Sequence, residues 1–228
     1  MAEHAAVDAS AADGLAAARR PPAVRALAGL AFALLAGSLP YPVWIDESGG
    51  TMHLLAVEAV YFALVAAMLV HVRFVERRPW SSIGLRRLRA RDAAVAVLFA
   101  VLVIAGLGGI WLVVFPALGI GNGEAVDRLR AQPAWWLALS VLRAGVSEEL
   151  LFRGYPIERL QELTGRRWLA AGVPLIPFVL AHVGPWGWSH VLVATFGGAM
   201  LTWLYLLRRN LPASILAHCI VDAVAVFA

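Results

Sequence analysis

The residues able to do chemistry gather in the second half of this 228-residue sequence, inside stretches that are otherwise apolar. "GVSEELLFRG" (145–154) sets two adjacent carboxylates, Glu148 and Glu149, ahead of Arg153. "FVLAH" (178–182) ends on His182, and "HCIVD" (218–222) pairs His218 with Asp222. On a helix, residues four apart share a face, so Glu149 meets Arg153, Phe178 meets His182 and His218 meets Asp222. Glu148 sits about 100° further round the helix and can point elsewhere. Two neighbouring carboxylates in a low dielectric resist double ionisation. That separates their roles: one can act as a base while the other is held neutral or paired. Such a pair suits activation of water by a general base. Spacing alone permits either glutamate to be that base.

Blander readings of the same residues stand beside this one. Glu149 with Arg153 can be a structural ion pair, His182 a satisfied core histidine, and His218 with Asp222 a polar pair that packs helices. Arg143 reads as a counter-charge or as a residue snorkelling within the bundle. Glu58 reads as snorkelling or as a structural hydrogen bond, and His53 and His71 fall at span ends. What favours a site is that three separate stretches carry acid/base groups at similar depth.

The elements that must position these groups are spanning helices. The chain is 61% hydrophobic and 15% charged, with a mean hydropathy of +0.75. A soluble domain needs more polar surface, so the composition indicates an integral membrane protein. Stretches near the roughly 20 residues a span requires are 24–44, 52–72, 93–116, 134–153, 168–183, 188–207 and 211–228. The fifth is short and holds Pro174 and Pro177, which predicts a kinked or tilted helix. The fold class is therefore an all-α, polytopic transmembrane helix bundle of about seven spans. Residues 1–23 are Ala-rich with scattered acids and read as a disordered tail. Residues 24–228 form the transmembrane domain.

The formal charge is +4, and lysine is absent. The arginines cluster in alternate loops: Arg19, Arg20 and Arg25, then Arg73 to Arg91, Arg159, Arg166, Arg167, Arg208 and Arg209. The opposite loops hold Arg128 and Arg130. The bias places the N-terminus in the cytoplasm and the C-terminus outside. It reflects topology rather than nucleic-acid binding. The basic segment 76–92 reads as lying on an anionic inner leaflet or as a solvated loop. Tryptophans near span ends form an interfacial belt. The single cysteine, Cys219, reads as a small apolar packing residue.

Depth brings the groups together. At about 1.5 Å per residue, Glu148 lies roughly 10 Å from the inner interface and His218 roughly 13 Å, with Asp222 one turn deeper. His182, at roughly 20 Å if its helix is straight, is the outlier.

At these motifs the sequence resembles the CPBP family of intramembrane proteases, also called the CAAX protease and bacteriocin-processing (Abi) family. Its pattern is Glu-Glu-x-x-x-Arg, then Phe-x-x-x-His, then His-x-x-x-Asn or Asp, matched here by "EELLFR", "FVLAH" and "HCIVD". The stretch 197–218 also looks like the family's glycine-containing helix and its turn into the last motif. The resemblance covers about residues 140–228, with a protease-like core at about 134–228.

It implies an endopeptidase that hydrolyses a peptide bond in a membrane-associated peptide or protein. Glu148, Glu149, His182, His218 and Asp222 would be catalytic, supported by Arg153 and Phe178. Glu148 would activate water; the histidines would bind a metal or polarise the carbonyl. Two His and a carboxylate, here Glu148, His182 and His218, are a plausible zinc set, and the same groups can work without metal. The implied location is a bacterial inner membrane, with the site opening toward the cytoplasm. A proton-coupled transporter using Glu148, His182 and Asp222 as a relay is the alternative from another class. A non-catalytic immunity-type protein on the same fold is a third.

Overall fold

The computed structural model describes residues 22–39, 50–121 and 124–228. The tail expected at 1–23 and the end of the first expected span thus lie mostly outside the described residues. Among the described residues the secondary structure is helical throughout, with no strand. In chain order the helices are α1 (Ala23–Gly37), α2 (Gly50–Val75), α3 (Ala90–Ala117), α4 (Glu124–Arg130), α5 (residues 134–164), α6 (Arg167–Trp186), α7 (His190–Arg208) and α8 (Leu211–Phe227). Helices α2, α3, α6 and α7 are long and apolar enough to cross a membrane; α1 and α8 are apolar but shorter.

The packing is that of a bundle immersed in an apolar medium. On α3, Ala96, Ala100 and Val103 are fully enclosed, while Val97, Leu98, Val101 and Leu102 point outward and stay about half exposed. A helix apolar on every face has no water-facing side, which suits a lipid-facing span. Small residues on the inner face let α3 lie close to α7 and α8, around Leu201, Leu204, Ala213 and Ala217. A second core joins α1, α2, α5 and α7 through Ala33, Met68, Leu151, Tyr155 and Tyr205. Helix α5 is the axis, in contact with α1, α2, α6 and α8. It is the least apolar of the long helices because its charged residues face protein: Arg143, Glu149 and Arg153 are all buried.

Helix α6 is longer than the element expected at 168–183. It runs unbroken for 20 residues with Pro174, Pro177 and Pro185 inside it. Each proline removes one backbone donor, but neighbours on both sides hold the helix, with Ala170, Ala171 and Phe178 buried against them.

The arginine-rich end is more tied down than a topogenic loop needs to be. Within 76–92, a short 3₁₀ turn at Trp80–Ile83 buries Ile83 completely, and the Leu211 N–H donates to the Gly84 carbonyl (2.7 Å). Glu76 is buried and accepts from Arg159 Nη2 (2.6 Å) and the Tyr155 hydroxyl (2.7 Å). Burial, and then that bond to Glu76, push the Tyr155 hydroxyl far above its ordinary range, so it stays a donor. Arg78 pairs with Glu162 (2.6 Å), Arg208 with Asp92 (Nε, 2.9 Å) and Arg209 with Glu158 (2.9 Å). His71, at the span end, joins this network, 3.4 Å from the Tyr155 hydroxyl.

Candidate active site

The site is built where α5 departs from regular geometry. Ala134–Glu148 is α-helical, Glu149–Gly154 forms one π turn, and Tyr155–Thr164 resumes the α-helix. A π turn carries an extra residue, so it re-aims the side chains at its start, and such turns recur at functional sites. Here the change of register falls between the two glutamates and sends them different ways. Glu149 is completely buried; Glu148 stays about one-fifth exposed and lines the cavity.

Glu149 is a junction. Its Oε1 accepts from Arg153 Nη1 (2.9 Å) and from His218 Nδ1 (2.8 Å). Arg153, itself buried, lays its guanidinium over the Phe178 ring at 3.9 Å and donates to the Gly198 carbonyl (3.4 Å). Phe178 then does a second job: its backbone carbonyl accepts from His182 Nδ1 (2.7 Å). Both imidazoles are thus fixed through Nδ1, and each turns Nε2 to the same place. Glu148 Oε2 lies 3.9 Å from His182 Nε2 and 3.8 Å from His218 Nε2. These gaps are too long for direct hydrogen bonds and suit a bridging water. Glu148 Oε2 is buried and receives no hydrogen bond from the described residues. Asp222 Oδ2 stands 3.4 Å from His218 Nε2 on the outer side.

The structure therefore gathers Glu148, Glu149, His182, His218 and Asp222, with Arg153 and Phe178 behind them. It also resolves which glutamate faces the cavity. His182, the outlier in expected depth, is brought to 3.9 Å from Glu148. Arg143 and Glu58 lie outside this cluster as a buried ion pair (3.1 Å).

Two glycines set how closely the helices approach. A Cβ on Gly198 of α7 would come within 2.7 Å of the Phe178 ring, and one on Gly145 of α5 within 2.5 Å of Cys219 Sγ, beside His218. Cys219 does pack between helices, its Sγ 3.7 Å from the Val141 carbonyl.

Sequence reasoning missed His190 and Ser147, which also line the cavity. The His190 ring is parallel to His182 at 6.0 Å and stacks on Trp186 at 5.4 Å. It begins α7 and stands in none of the three motifs, so only its apolar surroundings could have marked it. The Ser147 hydroxyl is buried without a hydrogen-bond partner among the described residues.

The cavity has a volume of about 600 Å³ and holds all the acid/base groups except Glu149. Its walls are mainly apolar, from residues such as Ile104, Leu107, Trp111 and Val221. Two imidazoles and a carboxylate are a common zinc donor set. Among the described residues, however, no three His, Cys, Asp or Glu side chains group in a way suited to holding a metal ion. Chemically, the arrangement can bind a water against a carboxylate and present two oriented imidazoles to a polarised group beside it.

A comparison with protein-family models matches residues 130–224 to the type II CAAX prenyl endopeptidase, Rce1-like family. That span contains all three motifs and agrees with the resemblance read from them. No curated protein and no solved structure matches the chain.

Proposed function

We propose, from the Rce1-like type II CAAX prenyl endopeptidase domain that this chain carries at residues 130–224, that it is a membrane-embedded endopeptidase in which Glu148 activates the attacking water. The observation that carries this reading is the buried, unpartnered Glu148 Oε2 facing two Nε2 atoms at bridging-water distance inside a cavity.

The step follows from the groups in place. Water held by Glu148 Oε2 loses a proton to the carboxylate as its oxygen attacks the scissile carbonyl. The oxyanion that forms needs donors already in position. His218 has carboxylates at both ring nitrogens, Glu149 at Nδ1 and Glu148 and Asp222 at Nε2. As a cation it can donate from Nε2 to the oxyanion while Nδ1 stays on Glu149. His182 has its Nδ1 proton on the Phe178 carbonyl and its Nε2 toward the water, so it orients the nucleophile. When the C–N bond breaks, the proton taken by Glu148 passes to the leaving amine. Glu149 and Arg153 position His218 without touching substrate. The substrate is a peptide segment at the membrane, and no step runs through a metal.

The test uses purified protein and membrane-peptide libraries. Wild type should cleave, Glu148→Ala and His218→Ala should not, and treatment with a chelator should leave cleavage intact. Absence of cleavage by wild type across diverse peptides, with substrate flux in liposomes, would replace the peptidase with a carrier. Loss of cleavage on chelation, restored by zinc, would replace the metal-free step.

A further inference from the structure

The arginine-rich end of the bundle holds two kinds of arginine. Arg78, Arg159, Arg208 and Arg209 are paired with Glu162, Glu76, Asp92 and Glu158. Arg73 and Arg77 are exposed, and their guanidinium groups have no hydrogen bond or ion pair among the described residues. Both line one cleft of about 370 Å³, together with Pro79 and Trp80. The cleft shares no residue with the cavity around Glu148, and one continuous stretch of chain forms it.

Two features mark the cleft as built rather than incidental. The last turn of α2, His71–Val75, is a π turn, and the Arg78 N–H turns back onto the Val72 carbonyl (3.0 Å). Arg77 caps that turn with a φ of 57°. This left-handed conformation is ordinarily left to glycine at a helix end, and a side chain is strained in it. A guanidinium is thus kept where the backbone favours none. The Trp80 indole N–H donates to the Leu69 carbonyl (3.1 Å). That bond holds the ring beside the end of α2, although about half of the residue is exposed.

Depth and charge identify the ligand. Helix α2 has 26 residues, about 39 Å at the helical rise, against roughly 30 Å of hydrocarbon. Its last turn therefore reaches the headgroup layer. Phe74 and Val75, exposed next to Arg73, offer apolar surface to acyl chains beside the two cations. We propose that the cleft binds the phosphate of an anionic phospholipid, with Arg73 and Arg77 on its oxygens and Trp80 at the interface. The planar fork of arginine matches phosphate oxygens. No acidic side chain lines the cleft among the described residues, so nothing there pairs with the cationic group of a zwitterionic headgroup. The site does not depend on the peptidase reading.

The test counts retained lipid by native mass spectrometry, on the full chain purified in mild detergent and given equimolar phosphatidylglycerol and phosphatidylcholine. Wild type should retain phosphatidylglycerol in preference. Each surface arginine contributes about a fivefold preference for anionic lipid, so Arg73→Gln with Arg77→Gln should lower retention by about tenfold or more. Arg87→Gln with Arg166→Gln removes the same charge from exposed positions outside the cleft and should leave most of the retention in place. Arg77→Gly relieves the left-handed strain, so it should unfold no earlier than wild type in SDS while losing retention by about fivefold. Equal retention of the two lipids by wild type, equal losses in the two double variants, or undiminished retention in Arg77→Gly overturns the proposal. So does displacement of the lipid by inorganic phosphate at matched concentration, which would make the cleft a site for the soluble anion.

Discussion

Replacing Glu149 by glutamine and Glu148 by glutamine should separate stability from chemistry. The two residues are adjacent and chemically identical, so any difference comes from where the π turn sends them. Glu149 Oε1 receives two charge-assisted bonds, at 2.9 Å from Arg153 and 2.8 Å from His218. Such bonds contribute roughly 1.5–3 kcal/mol each. Glutamine keeps an acceptor there but removes the charge, so Arg153, buried beside Phe178 and on the Gly198 carbonyl, loses its carboxylate counter-charge. Removing one partner of a buried pair destabilises by about 3–5 kcal/mol, and the halved bonds point to the lower part of that range. Glu148 Oε2 accepts no hydrogen bond from the described residues and faces two imidazole Nε2 atoms at 3.9 Å and 3.8 Å. Glu148→Gln should therefore shift stability by about 1 kcal/mol or less, while cleavage falls by about 10²–10⁴. Equilibrium unfolding in mixed detergent–SDS micelles, followed by tryptophan fluorescence, measures the first quantity; initial rates on a cleaved peptide measure the second. The assignment of roles is refuted if Glu148→Gln unfolds as early as Glu149→Gln, or if Glu149→Gln is as stable as wild type.

Three further expectations rest on separate observations. Gly198→Leu should overpack against Phe178, destabilise by about 1–3 kcal/mol and lower cleavage by displacing Arg153 and His182; Gly197→Leu, with open space around its Cβ, is the control that should do neither. Glu58→Gln should remove the charge facing the Arg143 guanidinium, 3.1 Å away and buried, and lower the SDS midpoint, whereas Glu58→Leu with Arg143→Met should be less destabilised than either single change. His190→Phe keeps an aromatic ring between His182 and Trp186, so it should preserve the unfolding midpoint. It should raise KM more than it lowers kcat, because this ring lines the cavity wall beyond His182 and is not one of the groups that face the water position.

How much could be read beforehand varies by residue. Arg153 four positions after Glu149, Phe178 before His182, and His218 before Asp222 are helix-face statements, and local periodicity is enough to make them. The membrane class follows from composition, because no arrangement of this chain could cover itself with polar surface. The choice between Glu148 and Glu149 was not legible. Regular helical spacing places them about 100° apart but says nothing of which way the neighbouring helices lie, and a π turn is invisible to a 3.6-residue period. His190 was hidden for a related reason: its partners, His182 and Trp186, come from the preceding helix.

The arginines show the division most clearly. Their order along the chain determines which loops share a side of the membrane, since insertion reads each short loop almost independently. Whether an arginine ends in water, as the exposed Arg87 does, or in a buried pair, as Arg159 does with Glu76, depends on contacts 83 residues apart. The sequence by itself determined a helical membrane bundle carrying three acid/base motifs at compatible depths. Only the tertiary structure decided which carboxylate faces the cavity and which is bound to Arg153 and His218. Those outcomes are set by distances between helices that no local pattern encodes.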